Sequence, residues 1–125
     1  MARFLIATAV ISAIIATPAM AGNAPAGARV FKTQCAICHA TSATAAPGVG
    51  PNLAGVVGRK AGTQSAFANR YSPAMKQAGL VWSPETLKTY ITNPAKTVPG
   101  NKMPFAGLHD TTQAEDVAAY LQSLR

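Results

Sequence analysis

Residues 35–39 read CAICH and bring together side chains well suited to chemistry, namely Cys35, Cys38 and His39. The chain has two cysteines and two histidines in total, so this motif holds both thiols and one imidazole. Such a group can form a redox dithiol, part of a zinc site, a structural disulfide or the attachment point of a c-type haem. The rest of the sequence has to distinguish these four sites.

Three of the four sites lack something that they need. A thioredoxin-like dithiol follows a strand in a βαβ pattern, and a zinc site needs four ligands, for which His109 is the only other histidine or cysteine. A disulfide across so short a loop adds little stability and leaves His39 unused. A covalent haem uses all three residues, because thiols at i and i+3 of a helix point the same way and the next residue can bind the iron. We therefore expect one haem c, attached through Cys35 and Cys38, with His39 as an iron ligand.

The iron of such a haem has a further axial position, for which residues 22–125 offer Met75, Met103 and His109. Met103 lies in the segment PGNKMPF, where prolines and a glycine oppose both helix and strand. A rigid irregular loop can hold a thioether against iron, and His/Met pairs are an established haem ligand set. We expect Met103 to be the second ligand, Met75 to pack in the core and His109 to be an exposed polar residue.

Three stretches have the periodicity of amphipathic helices. The first runs from about residue 25 to residue 40 and would place both cysteines on one face. The second begins at Ser83, a favourable N-cap followed by proline, and stops at Pro94. The third begins with TTQAED, in which Thr112 and Glu115 have the spacing of a capping box.

Loops rich in glycine and proline separate these helices. The segment APGVGPNLAGVVGRKAG shows no steady alternation, which argues against a sheet. YSPAMKQAG predicts one short helix closed by Gly79, and NPAKTVPGNKMPFAG predicts an irregular loop. The pattern indicates a small all-α domain.

The first 21 residues have the three parts of a secretory signal: Arg3, an apolar run over residues 4–16 and the cleavage pattern Ala19-Met20-Ala21. The apolar run is shorter than the roughly 20 residues that cross a bilayer, although an uncleaved anchor is the alternative. We therefore expect residues 1–21 to be a signal peptide, cleaved after Ala21, and residues 22–125 to form one domain in the periplasm.

Basic residues outnumber acidic ones, 11 against 4, and the formal net charge is +7. The basic residues are scattered, and export argues against nucleic acid as a partner. Such a surface is typical of charge that steers association with acidic protein patches.

The order of these motifs along the chain resembles that of the class I cytochromes c, especially the soluble bacterial mitochondrial-like (c2-type) carriers. The resemblance covers nearly all of residues 22–125: Gly27 and Phe31 before CAICH, GPNLAGVVGRKAG, WSPETLKTYITNPAKTVPGNKMPFAGL and EDVAAYL. It implies a small class I cytochrome c fold of three to five helices, with long loops wrapped around one covalently bound haem.

The resemblance also implies roles for individual residues. Pro51 would accept a hydrogen bond from His39, whereas Arg59 and Trp82 would lie beside a haem propionate. Tyr90 would reach the Met103 sulfur, and Asn101 would bond a propionate or an internal water. Phe105 would flank the haem edge. Gly27, Phe31, Val117 and Tyr120 would form the contact between the terminal helices. The role of Tyr71 is left open.

The function implied is that of a soluble periplasmic one-electron carrier, not an enzyme, that cycles between Fe(II) and Fe(III). Its partners would be redox proteins with acidic docking surfaces, such as a membrane oxidase, a reductase, a bc-type complex or a reaction centre. We expect a monomer without stable membrane insertion. The alternatives are a dedicated electron-acceptor subunit of one periplasmic dehydrogenase, and an open-site haem enzyme or gas binder that would have only His109 as an acid–base group.

Overall fold

Five α-helices and one 3-10 helix occur in the part of the chain that the computed structural model describes, residues 10–15 and 22–124. They are α1 (Ala24–Gln34), the 3-10 helix (Ser65–Arg70), α2 (Pro73–Gln77), α3 (Pro84–Thr92), α4 (Pro94–Thr97) and α5 (Thr111–Ser123). Extended pairing within these residues is limited to an isolated antiparallel bridge between Lys60 and Val81. The predicted all-α class is confirmed.

Residues 10–15 belong to the predicted signal and are exposed, without regular secondary structure. Arg3, the rest of the apolar run and the cleavage pattern at residues 19–21 lie outside the described residues. No helix among the described residues is long and apolar enough to cross a membrane.

α1 and α5 pack at a point where one helix has no side chain. A Cβ atom on Gly27 would overlap the backbone carbonyl of Asp116, so the two backbones approach more closely than another residue would allow. The backbone N–H of Asn23 donates to the Asp116 carboxylate at 2.7 Å. The rings of Phe31 and Tyr120 pack with their centroids 5.4 Å apart. The predicted contact between the terminal helices is confirmed.

α1 ends at Gln34, so the prediction that it continues to residue 40 is wrong. The N–H groups of Cys35 and Ala36 both donate to the Phe31 carbonyl, which closes the helix. The next turn is held differently, because the N–H groups of Cys38 and His39 both donate to the Cys35 carbonyl at 3.0 Å. The two cysteines therefore lie on one tight turn after the helix, and their side chains are not part of its face.

α3 begins where the sequence predicts. The Ser83 hydroxyl accepts from the Thr86 N–H at 3.1 Å, and the Thr86 hydroxyl accepts from the Ser83 N–H at 2.8 Å. Asn93 ends α3 and caps α4, since its side chain accepts from the Lys96 N–H. Part of the loop predicted after α3 is therefore the single turn α4, and residues 98–109 are irregular.

α5 has a different cap from the one predicted. The Asp110 carboxylate accepts from the N–H groups of Thr112 and Gln113, at 2.9 and 3.2 Å, so the helix starts before Thr112. Glu115 pairs instead with Lys88 of α3. The predicted capping box of Thr112 and Glu115 is wrong, because a carboxylate two residues earlier already satisfies the free N–H groups of the first turn.

α2 is the short helix predicted before Gly79. It is capped by the buried hydroxyl of Ser72, which accepts from the Met75 N–H at 3.0 Å, and Gly79 follows with a φ of +69°. A core formed by α1, α3, α5 and the intervening loops surrounds one side of the candidate site described next. Its most buried members include Val56, Ala114 and Val117.

Candidate cofactor site

A cavity of about 460 Å³ lies between the helices and the loops. Phe31, Leu53, Val56, Leu87 and Leu121 give it an apolar lining. Eight of the nine predicted site residues also line it: Cys35, Cys38, His39, Pro51, Arg59, Trp82, Tyr90 and Met103. An apolar cavity with a few convergent polar groups is typical of a cofactor site.

Both cysteines line this cavity as free thiols. Burial, with a smaller effect from nearby Cys38, raises the pKa of Cys35 to about 11. A redox-active or zinc-binding cysteine has a lowered pKa, because the thiolate is the reactive form. The raised pKa keeps Cys35 in its thiol form near neutral pH, which argues against a redox dithiol or a zinc ligand.

His39 has a fixed orientation. Its Nδ1 lies 2.8 Å from the Pro51 carbonyl, and a carbonyl oxygen only accepts, so Nδ1 carries the proton. Nε2 then has the lone pair that a metal ion needs. Burial lowers the pKa of His39, an effect that the Pro51 contact opposes, so the imidazole is neutral near pH 7.

The loop beside His39 is built closely against the ring. A Cβ atom on Gly50 would overlap the imidazole, so only glycine fits there without displacing His39. The N–H of Gly50 donates to the Cys38 carbonyl at 2.9 Å, which ties the loop to the cysteine turn. Gly50 was not singled out from the sequence, because its closeness to the ring depends on the fold.

Met103 lines the cavity from the irregular segment after α4. The Tyr90 hydroxyl lies 4.0 Å from its sulfur, in agreement with the contact that the resemblance implies. The other two candidate ligands are placed differently: Met75 lines the cavity as part of the core, whereas His109 is exposed and is not among the lining residues.

Arg59 and Trp82 are neighbours across the short antiparallel pairing. The Trp82 N–H donates to the Arg59 carbonyl at 2.9 Å, and the Arg59 guanidinium donates to the carbonyls of Asn52 and Ala54 at 2.8 Å each. A guanidinium has five N–H donors, so this residue can serve a further acceptor. Burial lowers the pKa of Arg59, with Tyr71 acting in the opposite direction.

Tyr71 lines the same cavity, and its hydroxyl accepts from the Gln64 N–H at 3.3 Å. Burial raises the pKa of Tyr71, while the Gln64 contact and the charge of Arg59 lower it. Its phenol and the Arg59 guanidinium are thus electrostatically coupled. The region around Arg59 is suited to an anionic group.

Asn101 is the one predicted site residue outside the cavity lining. Its Nδ2 donates to the carbonyls of Pro94 and Val98, and its Oδ1 accepts from the Met103 N–H and the Tyr90 hydroxyl. These four bonds use every position of a side-chain amide. The implied bond from Asn101 to a propionate or a water is therefore not supported.

Two polar residues of the site were missed by sequence reasoning. Asn52 is buried and holds the loop after His39, because its amide donates to the carbonyls of Ser42 and Ala45 and accepts from the Ala54 N–H. Arg70 lines the cavity and donates to the Gly48 carbonyl at 2.8 Å. Asn52 follows Pro51 directly in GPN, which is a weak signal, and nothing in the sequence marked Arg70.

The residues present fit a covalently bound haem. Two free thiols and a neutral imidazole with an available Nε2 reach one apolar cavity, a thioether lines it as well, and a guanidinium with spare donors lies at its polar region. An all-α fold with this set of groups defines a haem-binding protein of the c type.

Comparison with known proteins agrees with this class. The sequence model of the family described as Cytochrome c matches residues 24–125. Cytochrome c2 of Rhodomicrobium vannielii is 50% identical over 101 residues, covering 81% of this chain and 78% of the relative. Cytochrome c of Chlamydomonas reinhardtii is 45% identical over 104 residues, covering 83% and 91%. The solved structure of cytochrome cH from Methylobacterium extorquens superposes with a TM-score of 0.73 at 41% identity, over 82% of this chain and 99% of that chain.

The chain belongs to the cytochrome c family and has its class I fold. It takes one haem c, attached through Cys35 and Cys38. It is accordingly an electron-transfer protein and not an enzyme.

Proposed function

We propose that this protein is a periplasmic one-electron carrier whose haem iron is held by His39 and Met103. The observation that carries the proposal is the meeting of four groups at one cavity: the two attachment thiols, the imidazole and the thioether. The bound haem supplies a one-electron Fe(II)/Fe(III) couple. The protein side chains determine how that couple is held, tuned and reached.

His39 acts as the permanent nitrogen ligand. The Pro51 carbonyl keeps its proton on Nδ1 and aims the ring, and such outer contacts both orient a ligand and raise its basicity. The lowered pKa keeps the ring neutral, which binding requires. His39 follows Cys38 directly, so the ligand is fixed beside the attachment point.

Met103 would hold the iron through its thioether sulfur, as the second ligand. A thioether favours the reduced iron and raises the potential. The single proton of the Tyr90 hydroxyl faces both Asn101 Oδ1, at 3.4 Å, and the Met103 sulfur, at 4.0 Å, so a bond to the sulfur would compete with the bond to the amide. With His39 and Met103 both bound to the iron, no position would remain for a substrate, which suits a carrier.

Arg59, Trp82 and Tyr71 form the polar region that would receive the haem carboxylates. Arg59 is half-buried and has donors beyond its two backbone bonds, so its charge can offset that of an anion. Phe105 is half-buried and lines the cavity, in agreement with a place at the haem edge.

The partners proposed are redox proteins with acidic docking surfaces, such as a membrane oxidase, a reductase, a bc-type complex or a reaction centre. Three cations line the cavity, Arg59, Arg70 and Lys102, and no Asp or Glu is among the lining residues. Arg70 and Lys102 are exposed, so the region around the cofactor presents positive charge to a partner. Such charge raises association rates and makes them dependent on salt.

Export to the periplasm rests on the signal pattern at residues 1–21. Mass spectrometry of the protein from a bacterial periplasmic extract would test it. We expect a chain that begins at Gly22 and carries one haem. A chain that still begins at Met1 in the membrane fraction would show that the signal remains as an anchor.

Carbon monoxide tests the carrier function, because it binds reduced haem iron only at an open or easily vacated position. We expect the absorption spectrum of the reduced wild-type protein to stay unchanged under carbon monoxide. We expect the Met103→Ala variant to bind the gas at once, which serves as the positive control. Rapid binding by the wild type would contradict the proposal and support an open-site haem protein.

A further inference from the structure

We propose that the side-chain amide of Asn101 is the positioning residue that holds Met103 at the cofactor. The inference rests on the proposed role of Met103 as an iron ligand. It gives Asn101 a different function from the bond to a propionate or water that the sequence implied. The contacts of this one amide tie Met103 to two helices.

The donor side of Asn101 fixes the segment that precedes Met103. Nδ2 donates to the Pro94 and Val98 carbonyls at 3.0 Å each, and the Asn101 N–H also donates to the Val98 carbonyl at 3.0 Å. The Pro94 carbonyl also accepts from the Val98 N–H at 3.0 Å, which closes the single turn of α4. Asn101 adds a side-chain donor to both carbonyls and so ties its own segment to this turn.

The acceptor side of Asn101 holds Met103 itself. Oδ1 accepts from the Met103 N–H at 2.9 Å and from the Tyr90 hydroxyl, which is 3.4 Å away. Tyr90 belongs to α3 and is buried. The backbone of Met103 and the phenol that reaches its sulfur therefore depend on the same oxygen atom.

Few other side chains could replace this amide. It uses two donors and two acceptors in one planar group, whereas aspartate has no donor at neutral pH and leucine has neither. Aspartate would also place a carboxylate against the Pro94 and Val98 carbonyls, and leucine would leave those carbonyls without their side-chain donor. Both changes loosen the segment from residue 98 to residue 103 without removing Met103.

Imidazole competition measures this hold directly, because free imidazole binds ferric haem iron only when it displaces the ligand. The assay compares wild-type holoprotein with Asn101→Asp and Asn101→Leu. Loss of the Asn101 contacts is expected to tighten the apparent Kd for imidazole about tenfold, equivalent to about 1.4 kcal/mol. The exposed Asn69 receives the same change in Asn69→Asp, which should keep the wild-type Kd.

A second measurement separates a general loss of stability from a specific loss of hold on Met103. Denaturant unfolding of the imidazole-saturated holoproteins reports stability with the sulfur bond already broken. The tenfold change in the Kd for imidazole should remain after any difference in the stability of the imidazole-saturated proteins is subtracted. Equal imidazole affinity in the wild type and both Asn101 variants, within twofold, would overturn the inference.

Hydrogen exchange in the wild type tests the inference even if both variants fail to fold. The Met103 amide should be protected, because it donates to Asn101 Oδ1. Exchange at the rate of an unfolded chain would overturn the inference. If the wild type binds imidazole and carbon monoxide freely, Met103 is not the ligand and the proposed function fails. If the wild type resists both molecules and the Asn101 variants resist them equally well, only this inference fails and the proposed function stands.

Discussion

At the scale of single residues, the site combines a local motif with one distant residue. Cys35, Cys38 and His39 lie close together because they belong to one turn, which is held by hydrogen bonds to the Cys35 carbonyl. Met103 reaches the same cavity from a segment more than sixty positions later in the sequence. The first set is thus fixed by local geometry, whereas the second depends on the whole fold.

Replacement of Gly50 by alanine tests the fixed position of His39. The new methyl group would overlap the imidazole, so the ring has to move and its bond to Pro51 weakens. We expect a loss of about 1–3 kcal/mol in the free energy of unfolding and a changed ferric absorption spectrum. In the control Gly55→Ala the added Cβ meets no atom within 4 Å, so the spectrum should not change, although the φ of +65° at Gly55 makes this variant less stable through backbone strain. A wild-type spectrum and stability in Gly50→Ala would contradict this arrangement.

Tyr90 predicts a specific dependence of stability on pH. Burial raises the pKa of Tyr90 to about 12, above the roughly 10 of an unfolded chain. The folded protein therefore holds this proton more tightly, and stability falls as pH rises from about 10 to about 12. Tyr90→Phe has no such proton to lose. Between pH 10 and pH 12 the free energy of unfolding of the wild type should therefore fall by up to about 2 kcal/mol more than that of the variant. Unfolding curves at several pH values measure it, and a constant difference would refute the prediction.

The sequence predicted part of this residue-scale picture. The spacing in CAICH and the prolines around Met103 identified four residues that line the same cavity, since their signals are local. The roles of Asn52, Arg70 and Asn101 could not be predicted, because their partners lie up to 22 positions away and any polar side chain can be exposed. Hydrogen bonds made across loops have no signature in one sequence.

At the scale of elements, the helices position the site by their ends as much as by their faces. α3 starts at its capping box and carries Tyr90 to the Met103 sulfur, while α1 ends just before the cysteine turn. Local signals predicted the start of α3 correctly, because Ser83 and Pro84 act within one turn. They failed at the end of α1, where contacts to Gly50 and Pro51 determine the course of the chain.

The cap of α5 offers a test of the element boundaries. Asp110→Ala removes the carboxylate that accepts from two N–H groups of the first turn, so we expect a loss of about 0.5–2 kcal/mol in unfolding free energy. Thr112→Ala changes a residue inside the helix and should cost less. Denaturant titrations of both variants measure the difference. A larger loss in Thr112→Ala would support the capping box that the sequence predicted and the structure does not contain.

At the scale of the whole molecule, the cofactor completes the core. Core residues such as Phe31, Val56, Leu87, Val117 and Leu121 line the cavity, so haem replaces side chains that a small domain would otherwise pack there. An enclosed empty cavity of about 460 Å³ would cost on the order of 10 kcal/mol, which is an upper bound here because exposed residues such as Ile37 and Val49 also line this cavity. That cost is comparable with the roughly 5–15 kcal/mol by which folded domains are stable.

Removal of the cofactor should therefore unfold the protein. We expect the haem-free double variant Cys35→Ala, Cys38→Ala to lose its near-ultraviolet circular dichroism and its cooperative thermal transition. Water can fill part of the cavity, which lowers the cost without supplying the lost apolar contacts. A cooperative transition in the haem-free chain would show that the side chains alone stabilise the fold.

The ligation of the iron by Met103 is the central claim, and the ferric absorption spectrum of the purified holoprotein tests it most directly. A sulfur–iron bond produces a weak far-red charge-transfer band. We expect the wild type to show this band, Met103→Ala to lose it and the controls Met75→Leu and His109→Ala to keep it. The reduction potential of Met103→Ala should also fall, by on the order of 0.2 V within the roughly 0.8 V that axial ligands span. A wild type without the band, or a band that survives in Met103→Ala, would contradict the account.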